Sequence, residues 1–160
     1  MLVIAIIGLI GLIAVPQFSG QSGMRLTTAA NVLASDIEFC ENECISHPDA
    51  LRVIKFDTTN NRYWIALASS TSVPISHPAD SLPYLNDFAT GRNVRLAGVS
   101  ISAISIGSGG TVITPDIYGC PGLATDATIT LTNGTTTVTV TVNANSGDVT
   151  VGAPVAIAGP

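Results

Sequence analysis

The side chains able to do chemistry are few and lie close together: Cys40, Cys44 and His47, preceded by the acidic run Asp36, Glu38, Glu41 and Glu43. Cys120 and His77 stand far away in sequence. Cys40-x-x-x-Cys44 followed by His47 invites a zinc reading, because thiolate and imidazole are the soft donors zinc prefers. A structural zinc site needs about four such donors converging tetrahedrally. Two thiols one helical turn apart, with a single remote cysteine, make an incomplete set, and no metal is expected. The acidic run has helical spacing that scatters its carboxylates over more than one face, so it reads as solvated helix surface rather than a cation cage. His77 sits in a proline-rich stretch with no nucleophile motif beside it. G-x-S-x-G, Walker A and G-x-G-x-x-G patterns are absent, and Gly107-Ser108-Gly109-Gly110 reads as a turn between strands. The chain therefore offers no catalytic set, no cofactor site and no small-molecule substrate, and it is not expected to be an enzyme.

The cysteines also bear on redox environment. An odd count of three excludes a fully paired framework within one chain. Cys40 and Cys44 leave a continuous helix in nearly parallel directions, which disfavours a bridge between them. Two readings stay open. The thiols act as small buried hydrophobes, or in an oxidising compartment Cys120 bridges to Cys40 or Cys44.

The elements that must position these groups follow from composition and period. A length of 160 residues suffices for one modest domain, and 46% hydrophobic against 11% charged residues is too apolar for a disordered chain. The net charge is −5, and the six basic residues (Arg25, Arg52, Lys55, Arg62, Arg92, Arg95) are scattered. A nucleic-acid surface needs clustered cations to neutralise phosphates, so no nucleic-acid partner is expected.

Residues Met1–Val15 are uniformly apolar and end at Pro16. The run is shorter than the roughly 20 residues of a spanning helix. It lacks the basic flank and A-x-A site of a signal peptide, and it is apolar on every face, unlike a surface helix. Residues 1–23 form a first unit, an apolar helix with a Pro/Gly-containing joint (PQFSGQSG) that is either a kink within one long helix or a short linker. Residues 24–160 form the second. From Met24 to Ser46, Leu26, Ala29, Ala30, Leu33, Ile37, Cys40 and Cys44 recur at three- and four-residue steps and make one apolar stripe. His47-Pro48 ends the helix, since proline disfavours helical geometry in the residue before it.

After Pro48 the period becomes two. Leu51–Phe56 and Arg62–Ala68 read as a hairpin, and Ser69–Arg92, with Pro74, Pro78 and Pro83, reads as a loop. Val94–Leu96, Val99–Ile106 and Thr111–Thr114 are further strand candidates. Thr128–Thr132 and Thr136–Val142 flank Asn133-Gly134, whose residues tolerate the positive φ of a tight hairpin turn. A turn at Asn143–Gly147 leads to Asp148–Val151, and Gly152–Pro160 is expected to be loose. Tyr63 and Trp64 point to opposite faces of their strand, so one is expected in the core and the other exposed. The fold expected is α+β: an apolar then amphipathic helix packed on an antiparallel β domain of two sheets.

The segment MLVIAIIGLIGLIAVPQF (residues 1–18) closely resembles the amino-terminal segment of type IV pilins and pseudopilins. RLTTAANVLASDIEFCENECISHPDALRVIKFD (25–57) resembles the helix and first strand of the GspH/FimT group of minor pseudopilins. TPDIYGCPGLATDATITLTNGTTTVTVTVNANSGDVTV (114–151) resembles that group's closing strands. Ile4, Ile7, Gly8, Ile10, Gly11, Ile13 and Pro16 fall on the family's membrane and filament helix. In the family a glutamate precedes this run, and Met1 falls just after its place, so the resemblance implies either a start assigned too far downstream or a truncated chain.

The resemblance further implies a single-pass protein of the bacterial inner membrane with its β domain in the periplasm. Its partners would be membrane lipid, other pseudopilins and the inner-membrane assembly platform of a type II secretion system. Within the same group a FimT-like minor pilin serving adhesion or DNA uptake is the neighbouring role. A membrane-anchored envelope β domain that binds a ligand without polymerising is a third.

Overall fold

One helix runs against two antiparallel sheets. The computed structural model describes the backbone of residues 2–88 and 90–157, and the side chains of those from 22 onward except 91 and 92. Helix α1 is Leu2–Ser46, so the chain does not break into a linker ahead of Met24. Its stripe is buried as the spacing requires: Leu26, Ala29, Ala30, Leu33, Ile37, Cys40 and Cys44 are each 0% exposed. Burying each of the large members removes about 1.5–3 kcal/mol worth of apolar surface from water. The helix stops at Ser46, ahead of Pro48. The Cys44 thiol then fastens the outgoing chain: its Sγ accepts the Arg52 amide at 3.2 Å and donates to the Arg52 carbonyl at 3.3 Å.

The first sheet begins with the hairpin of β1 (Arg52–Asp57) and β2 (Arg62–Leu67), in register from Arg52↔Leu67 to Asp57↔Arg62. Asn61 turns the corner with φ +53°, while the Asp57 carboxylate accepts from the Asn60 amide and side chain. β3 (Ser70–Pro74) and β4 (Leu85–Asp87) lie end to end along the same edge of β2, and β6 (Val112–Ile113) closes the other side on β1.

The second sheet is built from β5 (Ser100–Ser105), β7 (Ala127–Thr132), β8 (Thr136–Val142), β9 (Val149–Val151) and β10 (Val155–Ala156). β7 and β8 form the hairpin signalled by Asn133-Gly134, with Gly134 at φ +90°. β9 and β10 share the free edge of β8 in tandem. Ile, Leu and Val of β7 and β8 face inward in strict alternation with Thr, and the core joins α1 to both sheets.

Four expectations need correction. The Ser69–Arg92 stretch is more than a loop: β3 and β4 both find the open edge of β2 and bond to it. Val94–Leu96 is not a strand: it belongs to the 3-10 segment Gly91–Leu96, where Ala97 N–H returns to the Val94 carbonyl. The tail is ordered through Ile157, which donates to the Thr135 carbonyl at 2.9 Å. Trp64 does face away from Tyr63, yet both are buried, at 9% and 0% exposure. The outer face of the β1–β2 hairpin carries its own small cluster of Val53, Trp64 and Ala66, and the indole N–H donates to the Thr71 carbonyl of β3 at 2.9 Å.

Candidate functional site

Open depressions mark the described surface, one of them lined by Thr28, Asn31, Val32, Ser35 and Asp36, and the site is sought among the polar groups that the fold has drawn inside beside it. The most developed is centred on Asp36. The helix stripe runs past it, since Asp36 lies three residues after Leu33 and four before Cys40, at the row spacing of a helix face. It is 9% exposed, not part of a solvated acidic surface, which corrects the reading of the acidic run. Its Oδ2 accepts the Tyr63 hydroxyl at 2.7 Å and the Asn86 side-chain amide, and its Oδ1 accepts the Tyr84 hydroxyl at 2.9 Å. Asn86 in turn accepts from the Asn93 side chain at 3.0 Å.

One carboxylate thus ties α1 to β2, to β4 and to the 3-10 segment. Burial, followed by the neighbouring Asp36 charge, holds the Tyr63 hydroxyl well above its ordinary pKa, so it stays a donor. Tyr84 is flanked by Phe39 and His77, with ring centroids 5.3 and 4.4 Å away. A carboxylate whose lone pairs are filled by three fixed donors is a brace, with little capacity left to act as a base.

The remaining acids of the run differ from one another. Glu43 lies 3.7 Å from Arg52 Nε and 3.4 Å from His47 Nδ1. Glu38 is exposed. Glu41 turns its Oε1 into a seam between the helix and two turns, where it is buried without a hydrogen-bond partner. Burial, with Glu38 and Asp148 nearby, raises its pKa to about 8.

The thiols are free: Cys40 and Cys44 are buried and Cys120 is half-buried. Cys44 is held below the ordinary thiol pKa by its hydrogen bond with Cys40, and the same bond with burial holds Cys40 above it. Among the described residues no three histidine, cysteine or acidic side chains are grouped to hold a metal. His77 Nδ1 accepts the Ala79 amide at 3.1 Å and is thereby absorbed into its own turn.

Among the described residues, two cations meet over one aromatic ring. On the outer face of the first sheet Lys55 Nζ and the Arg62 guanidinium lie 5.4 and 5.8 Å from the Trp64 ring centre. Arg62 is also bonded to Asp57 at 3.1 Å. The side chains of Ile4, Ile7, Gly8, Ile10, Gly11, Ile13 and Pro16 lie outside the described residues. Among the described residues no helix is long and apolar enough to cross a membrane.

Sequence reasoning singled out the buried stripe, with Cys40 and Cys44 on it, but missed Asp36 and the Glu41 seam. The legible signal for Asp36 was its place within the stripe's spacing. Its partners Tyr63, Tyr84 and Asn86 carried no pattern that paired them with it. Compared with known proteins, the chain matches no family model, no curated protein and no solved structure.

Proposed function

We propose that the chain is a non-catalytic minor pseudopilin, a subunit of the periplasmic pseudopilus of a type II secretion system. The observation that carries the reading is the continuity of α1. Its carboxy-terminal part is the core of the β domain, with Leu26 to Cys44 buried, while its amino-terminal part is apolar on all faces by sequence. At a rise of 1.5 Å per residue, a helix of 45 residues spans about 68 Å. That is far more than the domain needs, and the surplus is chemically suited to lipid or to a bundle of like helices, because its backbone hydrogen bonds are internal. Gly8 and Gly11 would allow close helix approach, and Pro16 would free one backbone carbonyl and bend the helix.

The domain supports the reading from the other side: it is braced internally around Asp36. Filament subunits need such a shape-stable body more than a cleft.

The test is assembly. The chain is expressed behind the leader and first residues of an established pseudopilin, in cells carrying the secretion machinery. Processing by the leader peptidase, and crosslinking to other pseudopilins through cysteines placed at Ile4 or Ile7, are the expected results. A processed chain that stays in the membrane and crosslinks to no pseudopilin would replace this reading with the anchored envelope domain. A gel shift with DNA at low salt, abolished by Lys55→Ala and Arg62→Ala, would instead favour the DNA-uptake role.

A further inference from the structure

The Glu41 seam carries an inference independent of the secretion role. Three elements meet there. The helix contributes Glu41 and Ile45; the loop between β6 and β7 contributes Gly119; the turn between β8 and β9 contributes Gly147. Both glycines are left-handed, at φ +82° and +80°, and both press against the same carboxylate side chain. A Cβ built on Gly119 would lie 3.1 Å from Ile45 Cδ1 and 3.6 Å from Glu41 Cβ. One built on Gly147 would lie 2.7 Å from the Gly119 carbonyl oxygen and 3.2 Å from Glu41 Oε1. The seam is therefore closed backbone to side chain, with no room for an added group.

The two turns are also joined to each other. Leu123 N–H donates to the Ala144 carbonyl at 3.3 Å, and Ala144 N–H donates to the Asp126 carboxylate at 2.9 Å. They form one cover against the last turns of the helix, at Glu41 and Ile45.

The charges facing Glu41 all oppose its ionisation. Glu38 and the Cys44 thiol come from its own helix, and Asp148 comes from the β8–β9 turn. The β6–β7 loop brings Asp116, whose carboxylate is committed to the Tyr118 and Cys120 amides at 2.8 and 2.9 Å. A neutral carboxyl can lie in this seam without a charge to be solvated, its Oε1 buried beside the Gly147 backbone. A carboxylate has no donor there, and it has acidic neighbours on two elements.

We propose that Glu41 is a proton-operated clasp: protonated, it seals the seam against Gly119 and Gly147, and ionised, it leaves the seam and loosens the cover formed by the β6–β7 loop and the β8–β9 turn. The direction of the seam's response follows from its chemistry. Alkaline conditions open the cover, and acidic conditions keep it shut.

The experiment follows amides of the full-length chain in detergent micelles. In the natural protein the Gly119 and Gly147 amide resonances should titrate together with a midpoint near 8. Exchange protection within residues 115–122, corrected for intrinsic rates, should fall about tenfold or more across that midpoint. Glu41→Gln, neutral at every pH and equal in shape, should abolish both effects with the cover closed. Asp148→Asn leaves Glu41 in place but removes one opposing charge, and it should shift the midpoint downward. Titration of both glycine amides in the ordinary carboxylate range, or the same loss of protection in Glu41→Gln, would overturn the proposal.

Discussion

Replacing Asp36 with alanine separates an interior brace from a surface acid. The substitution leaves three donors without their acceptor: the Tyr63 hydroxyl, the Tyr84 hydroxyl and the Asn86 amide. A buried donor left unpaired costs roughly 1–3 kcal/mol. Tyr63 is 0% exposed and has no route to water, so it sits at the upper end, while Tyr84 and Asn86 at 5% sit lower. The raw sum is about 4–5 kcal/mol, and relief of the desolvated carboxylate returns part of it. The expected loss is about 3 kcal/mol. Asp36→Asn keeps one acceptor oxygen, and the rotatable tyrosine hydroxyls can accept from the new amide, so it should lose about half as much.

The assay is equilibrium urea unfolding in mild detergent, followed by the fluorescence of Trp64, the one tryptophan of the chain. The midpoint should fall without a change in slope. A solvated carboxylate predicts a change within about 0.5 kcal/mol. A measured loss for Asp36→Ala below about 1 kcal/mol would refute the brace.

Other outcomes follow from the same geometry. Gly147→Ala should destabilise the domain by about 1–3 kcal/mol, since its φ of +80° and the Gly119 carbonyl both resist a Cβ; unfolding curves would show it. Asn61 donates its side-chain amide to the Val99 carbonyl at 2.9 Å and accepts the Ile101 N–H at 2.8 Å, plugging the outer edge of β5. Asn61→Ala should cost about 1–2 kcal/mol and promote edge-to-edge association visible by light scattering. In the native chain a thiol reagent should label Cys120 first, with buried Cys40 and Cys44 reacting only after unfolding, as mass spectrometry would read; a native chain with no fast-reacting thiol would contradict the free state of Cys120. Glu41 has a folded pKa of about 8, above its unfolded value, so it favours folding at acid pH. Its contribution is full below the unfolded value and is lost as pH rises through the folded one. After allowance for solvent screening of a half-buried group, thermal unfolding should show about 1–2 kcal/mol lost, absent in Glu41→Gln.

The apolar stripe of α1, its end before Pro48, the β1–β2 hairpin and the Asn133-Gly134 hairpin were all legible in the chain. Each rests on interactions among residues a few positions apart, where helical or two-residue period and turn stereochemistry decide the outcome. The features that were not legible depend on which strands arrive from far away. Asp36 is interior because Tyr63, Tyr84 and Asn86, 27 to 50 residues later, deliver donors to it. Trp64 is buried because Val53, Ala66, Leu85 and Val112 pack around it and its indole reaches the Thr71 carbonyl of edge strand β3, and the proline-rich stretch is structured because β2 offers an unpaired edge.

Glu41 and Glu43 are two residues apart in one acidic run, yet one faces Arg52 and the other a seam of glycine backbone. The sequence determined the helix, the hairpins and the faces they present. The tertiary structure decided which polar groups those faces would enclose, because the free energy of a buried charge is set by the donors that reach it, and here those donors come from distant strands and turns.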